Sequence, residues 1–154
     1  MSIDFKALNK MRNIVASVSD KKMNGCTRRA VRTTSLWLVE YIKENKLNGQ
    51  VLNVKTGKLR AGMTSKEKKT DGNIRFEITP TVKYGRIHEL GGVIKPVRAK
   101  RLFFKVGGSF VSVSQVTIPK RSYMLSSAKE TLGDMNTIFV RRLKIEIEKE
   151  LNGL

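Results

Sequence analysis

A chain of 154 residues has the size of one domain and can bury one modest core. Its apolar residues, 40% of the total, form no uninterrupted run near the ~20 residues a membrane-spanning helix needs, and one cysteine with one histidine excludes an internal disulfide and a four-ligand Cys/His zinc site. With 31 Lys+Arg against 13 Asp+Glu the net charge is +18, which favours polyanionic partners and opposes close approach of identical copies.

The charge is unevenly spread. Residues 51–105 carry 14 basic and 4 acidic side chains, whereas residues 1–50 carry 10 and 4 and residues 106–154 carry 7 and 5. The opening MSIDFKALNKMRNIV alternates charged with apolar residues and lacks the continuous apolar stretch of a secretory signal, so no export is expected.

In chain order, residues 4–18 place Ala7, Leu8, Met11, Ile14, Val15 and Val18 on one side of a 100°-per-residue wheel, which predicts an amphipathic helix started by Ser2 or Asp4. The polar stretch 19–25 interrupts the pattern. A second, longer helix resumes with Ala30, Val31, Thr34, Trp37, Leu38, Tyr41 and Ile42 on one face and ends near Asn48-Gly49. Its opposite face collects Arg28, Arg29, Arg32, Lys43 and Lys46, either a solvated face or a contact for DNA or an acidic partner. Cys26 is expected as a small buried side chain on this helix.

Residues 51–116 turn to β character. Segments 59–64 and 73–79 flank a polar run ending in Asp71-Gly72, a favoured hairpin dipeptide, and Ile74, Phe76 and Ile78 alternate with Arg75, Glu77 and Thr79. The connecting SKEKKTDG packs poorly and should project as a mobile basic loop, making Lys66, Lys68 and Lys69 candidates to meet DNA or an acidic partner. A second hairpin is predicted from 101–106 and 109–113 around Gly107-Gly108. Residues 84–89 read as one or two helical turns, closed by a glycine C-cap at Gly91-Gly92 and linking the hairpins.

After Pro119, Ser126 or Ser127 can cap a last helix that runs to about residue 151, with the stripe Leu132, Met135, Phe139, Val140, Leu143, Ile147 and Leu151. Ile138 and Ile145, seven apart on its polar back, suggest a subunit contact. The expected fold is therefore α+β in a single domain. A helical arm (1–48) is followed by a central antiparallel sheet of about four strands from two hairpins with a short linking helix (51–116), and a C-terminal helix (123–151) packs on the sheet.

One segment carries more information than its elements. Tyr84-Gly85-Arg86-Ile87-His88-Glu89-Leu90-Gly91-Gly92 is followed by Val116-Thr117-Ile118-Pro119-Lys120-Arg121-Ser122-Tyr123-Met124. Gly91 and Gly92 permit the positive φ that turns a short helix directly into a strand, while His88 and Glu89 sit at the helix end, where a charged imidazole is favoured. A catalytic alternative makes His88 a general base oriented by Glu89, but adjacent helical residues point about 100° apart and serve one substrate atom poorly. Pro119 enforces an extended residue before it, and Arg121 is placed to pair with Glu89 or with a neighbouring subunit.

Together these strings resemble the phage virion morphogenesis family, which includes the Mu-type tail completion proteins and is related to head-tail joining and minor tail proteins. Upstream, Leu47-Asn48-Gly49-Gln50-Val51-Leu52 and Lys55-Thr56-Gly57-Lys58-Leu59-Arg60 look like the same family's Leu-x-Gly and Thr-Gly-x-Leu-Arg elements. Four elements in one order span residues 47–124. Ser122-Tyr123 departs from the proline or arginine followed by phenylalanine common in relatives, and the lysine-rich 66–69 run is unusual.

The resemblance implies a structural virion protein, not an enzyme and without a cofactor. Such a protein completes the tail or joins it to the head as a ring at the neck, expected to be a hexamer when assembled. Its implied partners are tail tube, connector or neck proteins, with genomic DNA in the lumen as a further contact, no membrane, and assembly in the bacterial host cytoplasm. In that reading Tyr84, Gly85, His88, Glu89, Gly91, Gly92, Ile118, Pro119, Arg121, Thr56 and Gly57 serve structure and assembly.

A basic nucleic-acid-binding protein is the alternative, motivated by the charge and the arginine face, although helix-turn-helix spacing, zinc-finger ligands and an aromatic RNA-binding strand are not evident. An enzyme would lack a phosphate-binding GxxxxGK[ST] loop, a nucleophile elbow and a magnesium-holding acidic cluster, leaving only a small basic ribonuclease around His88, Arg86 and Tyr84.

Overall fold

The computed structural model describes residues 20–70 and 73–152. The helix expected over residues 4–18 lies outside them. In chain order the elements are α1 (Asp20–Asn45), α2 (Lys58–Ala61), β1 (Met63–Thr70), β2 (Asn73–Pro80), α3 (Gly85–Leu90), β3 (Gly92–Ile94), β4 (Leu102–Val106), β5 (Ser109–Val113), β6 (Val116–Ile118), α4 (Tyr123–Glu130) and α5 (Leu132–Asn152). The class is α+β. Among the described residues six strands pair as three separate two-stranded sheets, β1-β2, β3-β6 and β4-β5, instead of merging into one sheet of about four. Among the described residues no helix is long and apolar enough to cross a membrane.

The chain divides into two compact units. Among the described residues, one takes 20–39, 65–70, 73–78 and 131–152; the other takes Glu40–Thr64 and Thr79–Glu130. Helix α1 and the β1-β2 hairpin each contribute to both.

In the first unit, α1 already covers residues 20–25, where the polar stretch 19–25 suggested an interruption. No proline lies there, and an interior glycine such as Gly25 costs only about 1 kcal/mol against alanine, too little to stop a long helix. Cys26, Ala30, Leu38 and Val39 are buried along it. The basic face, by contrast, is not a free polyanion surface: Arg28 pairs with Glu67 at 2.7 Å, and Arg29 pairs with Glu146 and, at 3.0 Å, with Glu150.

Residues 66–69 lie in strand β1, not in a loop. Ser65 and Glu67 are half-buried while Lys66 and Lys68 are exposed, so polar side chains alone carry the period of two. Partners on one side explain this. The Ser65 hydroxyl donates to Ser35 Oγ at 2.8 Å, Glu67 meets Arg28, and across the hairpin Lys68 pairs with Glu77.

The expected C-terminal helix is two helices. The break falls at buried Thr131, whose carbonyl accepts the Met135 amide at 2.8 Å and begins α5. On α5, Met135, Phe139, Leu143, Ile147 and Leu151 are half-buried as expected, but Leu132 and Val140 are 60% and 63% exposed. The buried face centres instead on Glu146, 3% exposed between Arg29 and Arg142. Ion pairing to α1 thus rotates the stripe. Ile138 is drawn to half-buried while Ile145 stays exposed, so the two do not form one exposed pair.

Burial disfavours the charge on Glu146, but the Arg29 hydrogen bond and the charges of Arg142, Arg29 and Lys149 outweigh it and hold the carboxyl below its ordinary 4.5. Because the folded pKa is depressed, the stabilisation is present above about pH 4.5 and is lost as pH falls through the folded value. Glu146→Gln should cost roughly 1–3 kcal/mol at neutral pH, less than a fully buried pair because Arg29 is half in solvent. Urea titrations should show that loss shrinking towards low pH; an undiminished difference at acid pH would contradict it.

Candidate functional site

In the second unit the two motif segments are stitched together. Helix α3 ends at Gly91, whose φ of 71° with ψ of 175° is a conformation open essentially to glycine, so the chain reverses at once into β3. A Cβ at Gly91 would stand 2.9 Å from the Lys120 nitrogen, so the close approach of the second segment requires glycine. β3 then pairs antiparallel with β6, Gly92 opposite Ile118. The Arg121 amide donates to the His88 carbonyl at 2.8 Å, and the buried Tyr123 hydroxyl donates to the Gly85 carbonyl at 3.2 Å. Gly85 is buried too, and the Pro80 ring lies so close that a Cβ there would stand 2.5 Å from it.

Glu89 occupies the centre of this arrangement. Its carboxylate accepts the Ser122 hydroxyl at 3.0 Å and the amides of Met124 at 2.8 Å and Leu125 at 3.0 Å. These are first-turn N–H groups of α4, which have no partner inside the helix and carry its positive dipole end, so a carboxylate is the best cap for them. Glu89 does the work expected of Ser126 or Ser127. Both serines lie inside α4 instead, and the Ser127 hydroxyl donates back to the Tyr123 carbonyl at 2.7 Å. Burial, reinforced by the Glu89 charge, pushes the Tyr123 phenol up to about 12.

With Glu89 engaged, it forms no ion pair with Arg121 and is not hydrogen-bonded to His88. His88 packs edge-on to Tyr84, ring centroids 6.0 Å apart, and its buried Nδ1 has no hydrogen-bond partner. Burial first, then the charge of Arg121, hold its pKa below 6.5. The charged imidazole expected at the helix end is therefore replaced by a neutral one at pH 7.

His88, Tyr84 and Arg121 face a groove of ≈ 810 Å³ whose other wall is residues 47–60. There Gly57, with φ 68°, starts the helical turn α2 in place of the strand expected at 59–64. The Ala61 and Gly62 amides close that turn on the Gly57 and Lys58 carbonyls, both at 2.9 Å. All four motif elements thus contribute to one groove. Thr56, Lys55, Lys58 and Arg60 line it beside Arg121, and no carboxylate does. Sequence reasoning named most of these residues but not their convergence, because the 47–60 segment has no regular hydrophobic period to place it.

The same unit presents the β4-β5 ribbon. Leu102, Phe104 and Val106 share one face with Val113 and Val111, and Phe103 and Phe110 share the other with Lys105 and Ser112. Phe103 is 71% exposed, Phe110 80% and Val106 56%. Arg101 anchors its base, donating to the Ser112 hydroxyl and carbonyl, each at 2.8 Å. The hairpin was legible in the sequence. The exposure of Phe103, Phe110 and Val106 was not, since the same alternation is compatible with a packed sheet.

Glu89→Gln removes the charge that faces three donors and should destabilise by about 1–3 kcal/mol in chemical denaturation. Gly91→Ala should cost at least as much, since positive-φ backbone strain of ~1–3 kcal/mol adds to the Lys120 clash. Wild-type stability for both variants would mean that the stitch does not hold the unit.

Comparison with known protein families, with curated proteins and with solved structures gives no match to this chain.

Proposed function

We propose that this chain is a structural assembly protein of a tailed bacteriophage, completing the tail or joining it to the head as a repeated subunit of a ring. The observation that carries the reading is the β4-β5 ribbon, which exposes Phe103, Phe110 and Val106 and, among the described residues, has no further strand at either edge. A two-stranded ribbon of this kind is marginal alone and gains by docking, where a neighbour covers its faces and adds strands to its edges. A bilayer interior would leave those edge groups without partners.

The stitched motif supports the same reading. Glu89 is spent on a helix end and is not available to orient His88 as a base, which leaves the shared motif a scaffolding role. Repetition of one heterologous contact closes a ring, and a ribbon meeting a different surface on the next copy is such a contact. The nucleic-acid alternative is weakened because Arg28, Arg29 and Lys68 already pair with glutamates of this chain.

Purified protein added to tails of a mutant phage lacking it should restore head attachment. Phe103→Ser combined with Phe110→Ser should keep the melting temperature, since exposed substitutions change stability by about 0.5 kcal/mol or less, yet lose restoration. Failure of the wild type to restore attachment would contradict the proposal. A steep log–log fall of DNA affinity with salt, together with failed restoration, would favour the alternative.

A further inference from the structure

We infer that the groove between residues 47–60 and the Tyr84–His88–Arg121 wall is a receptor site for an extended, carboxylate-rich peptide segment of a partner protein. The inference concerns the groove alone and does not need the virion reading, so either can fail without the other.

Charge is the first ground. Lys55, Lys58, Arg60 and Arg121 all line the groove and no acidic residue does. Among the described residues, Lys55, Lys58 and Arg121 form no ion pair, although the basic face of α1 is largely neutralised by glutamates of this chain. The contrast is local. From Leu90 to Lys129 the sequence holds eight lysines and arginines and no aspartate or glutamate, and the one acid beside the groove in sequence, Glu89, is held by α4. Like charges lining a low-dielectric concavity focus a positive potential that only an anionic occupant relieves.

The second ground is His88, an imidazole in the groove wall whose charged form is disfavoured by burial and by Arg121. A carboxylate arriving in the groove would meet the His88 ring and favour its protonated form. Shape and lining then choose among anions. A volume of ≈ 810 Å³ exceeds what one carboxylate or phosphate fills, and Leu52, Val54 and Leu59 offer aliphatic contacts that a sugar–phosphate chain does not use. Tyr84 is the groove's one aromatic ring of phenol or phenyl type, too few for successive base stacking. An extended peptide alternates its side chains, placing carboxylates on the cations and aliphatic groups on the apolar floor.

The test is fluorescence anisotropy with a labelled hexapeptide of alternating glutamate and valine, set against a lysine–valine hexapeptide and a single-stranded oligonucleotide. The intact protein should bind the acidic peptide and not the basic one. Arg121→Gln and, separately, Lys58→Gln should each weaken binding roughly tenfold with unchanged melting temperature. Lys58 is an exposed side chain, so that variant reports on the groove even if Arg121→Gln folds poorly. NMR titration of the sole histidine should show its pKa rise when the peptide is bound. Absence of acidic-peptide binding, equal binding by both variants, or an oligonucleotide that binds tightly and is not displaced by the peptide would each overturn the inference.

Discussion

A single carboxylate organises the unit in which the motif segments meet. Glu89 receives three donors from residues 122–125, and through them the start of α4 is held against the end of α3. Charge-assisted bonds of this kind are roughly twice as strong as neutral ones, and here they satisfy helix amides that would otherwise lack partners. The carboxylate reaches them because Gly91 reverses the chain and admits Lys120 at a distance no side chain tolerates. The β3-β6 ladder, the Arg121–His88 backbone bond and the Tyr123 hydroxyl on Gly85 extend the same contact.

The chemistry of the groove follows from that commitment. Once Glu89 neutralises a helix end, nothing nearby neutralises Arg121, and the His88 ring sits between an aromatic neighbour and a cation with no acid to hold its proton. The result is a neutral histidine beside a cationic concavity. Such a concavity suits the anionic occupant inferred for it. The first unit uses its carboxylates differently: Glu146 and Glu150 hold Arg29, and Arg142 joins Glu146 along α5.

How far these features could be read from sequence depended on whether their cause was local. Helical turns closed by glycine at 91 and a hairpin around Gly107-Gly108 rest on backbone preferences of neighbouring residues, and both are present. The capping of α4 rests on a carboxylate some thirty-five positions away, and local rules pointed to Ser126 or Ser127 instead. Residues 66–69 looked like a solvated loop because their alternation is between charges; their strand depends on Arg28 and Ser35, far off in the chain. On α5 a hydrophobic stripe was legible, but not that a glutamate would lie at the centre of the buried face, since its partner Arg29 belongs to another helix. The groove follows the same rule. Its residues were identifiable as motifs, whereas their convergence is a product of the stitch.

The stitched segments, the exposed phenylalanines of the ribbon and the cationic groove are the features on which the proposed assembly role rests. The ribbon asks for apolar cover and strand pairing, the groove for negative charge, and the two demands can be met by different neighbours. Electron cryo-microscopy of intact phage particles tests this account most directly. It predicts repeated copies of the chain at the neck, with Phe103 and Phe110 covered by an adjacent subunit. Complete particles without this polypeptide, or copies whose ribbon stands bare in solvent, would contradict it.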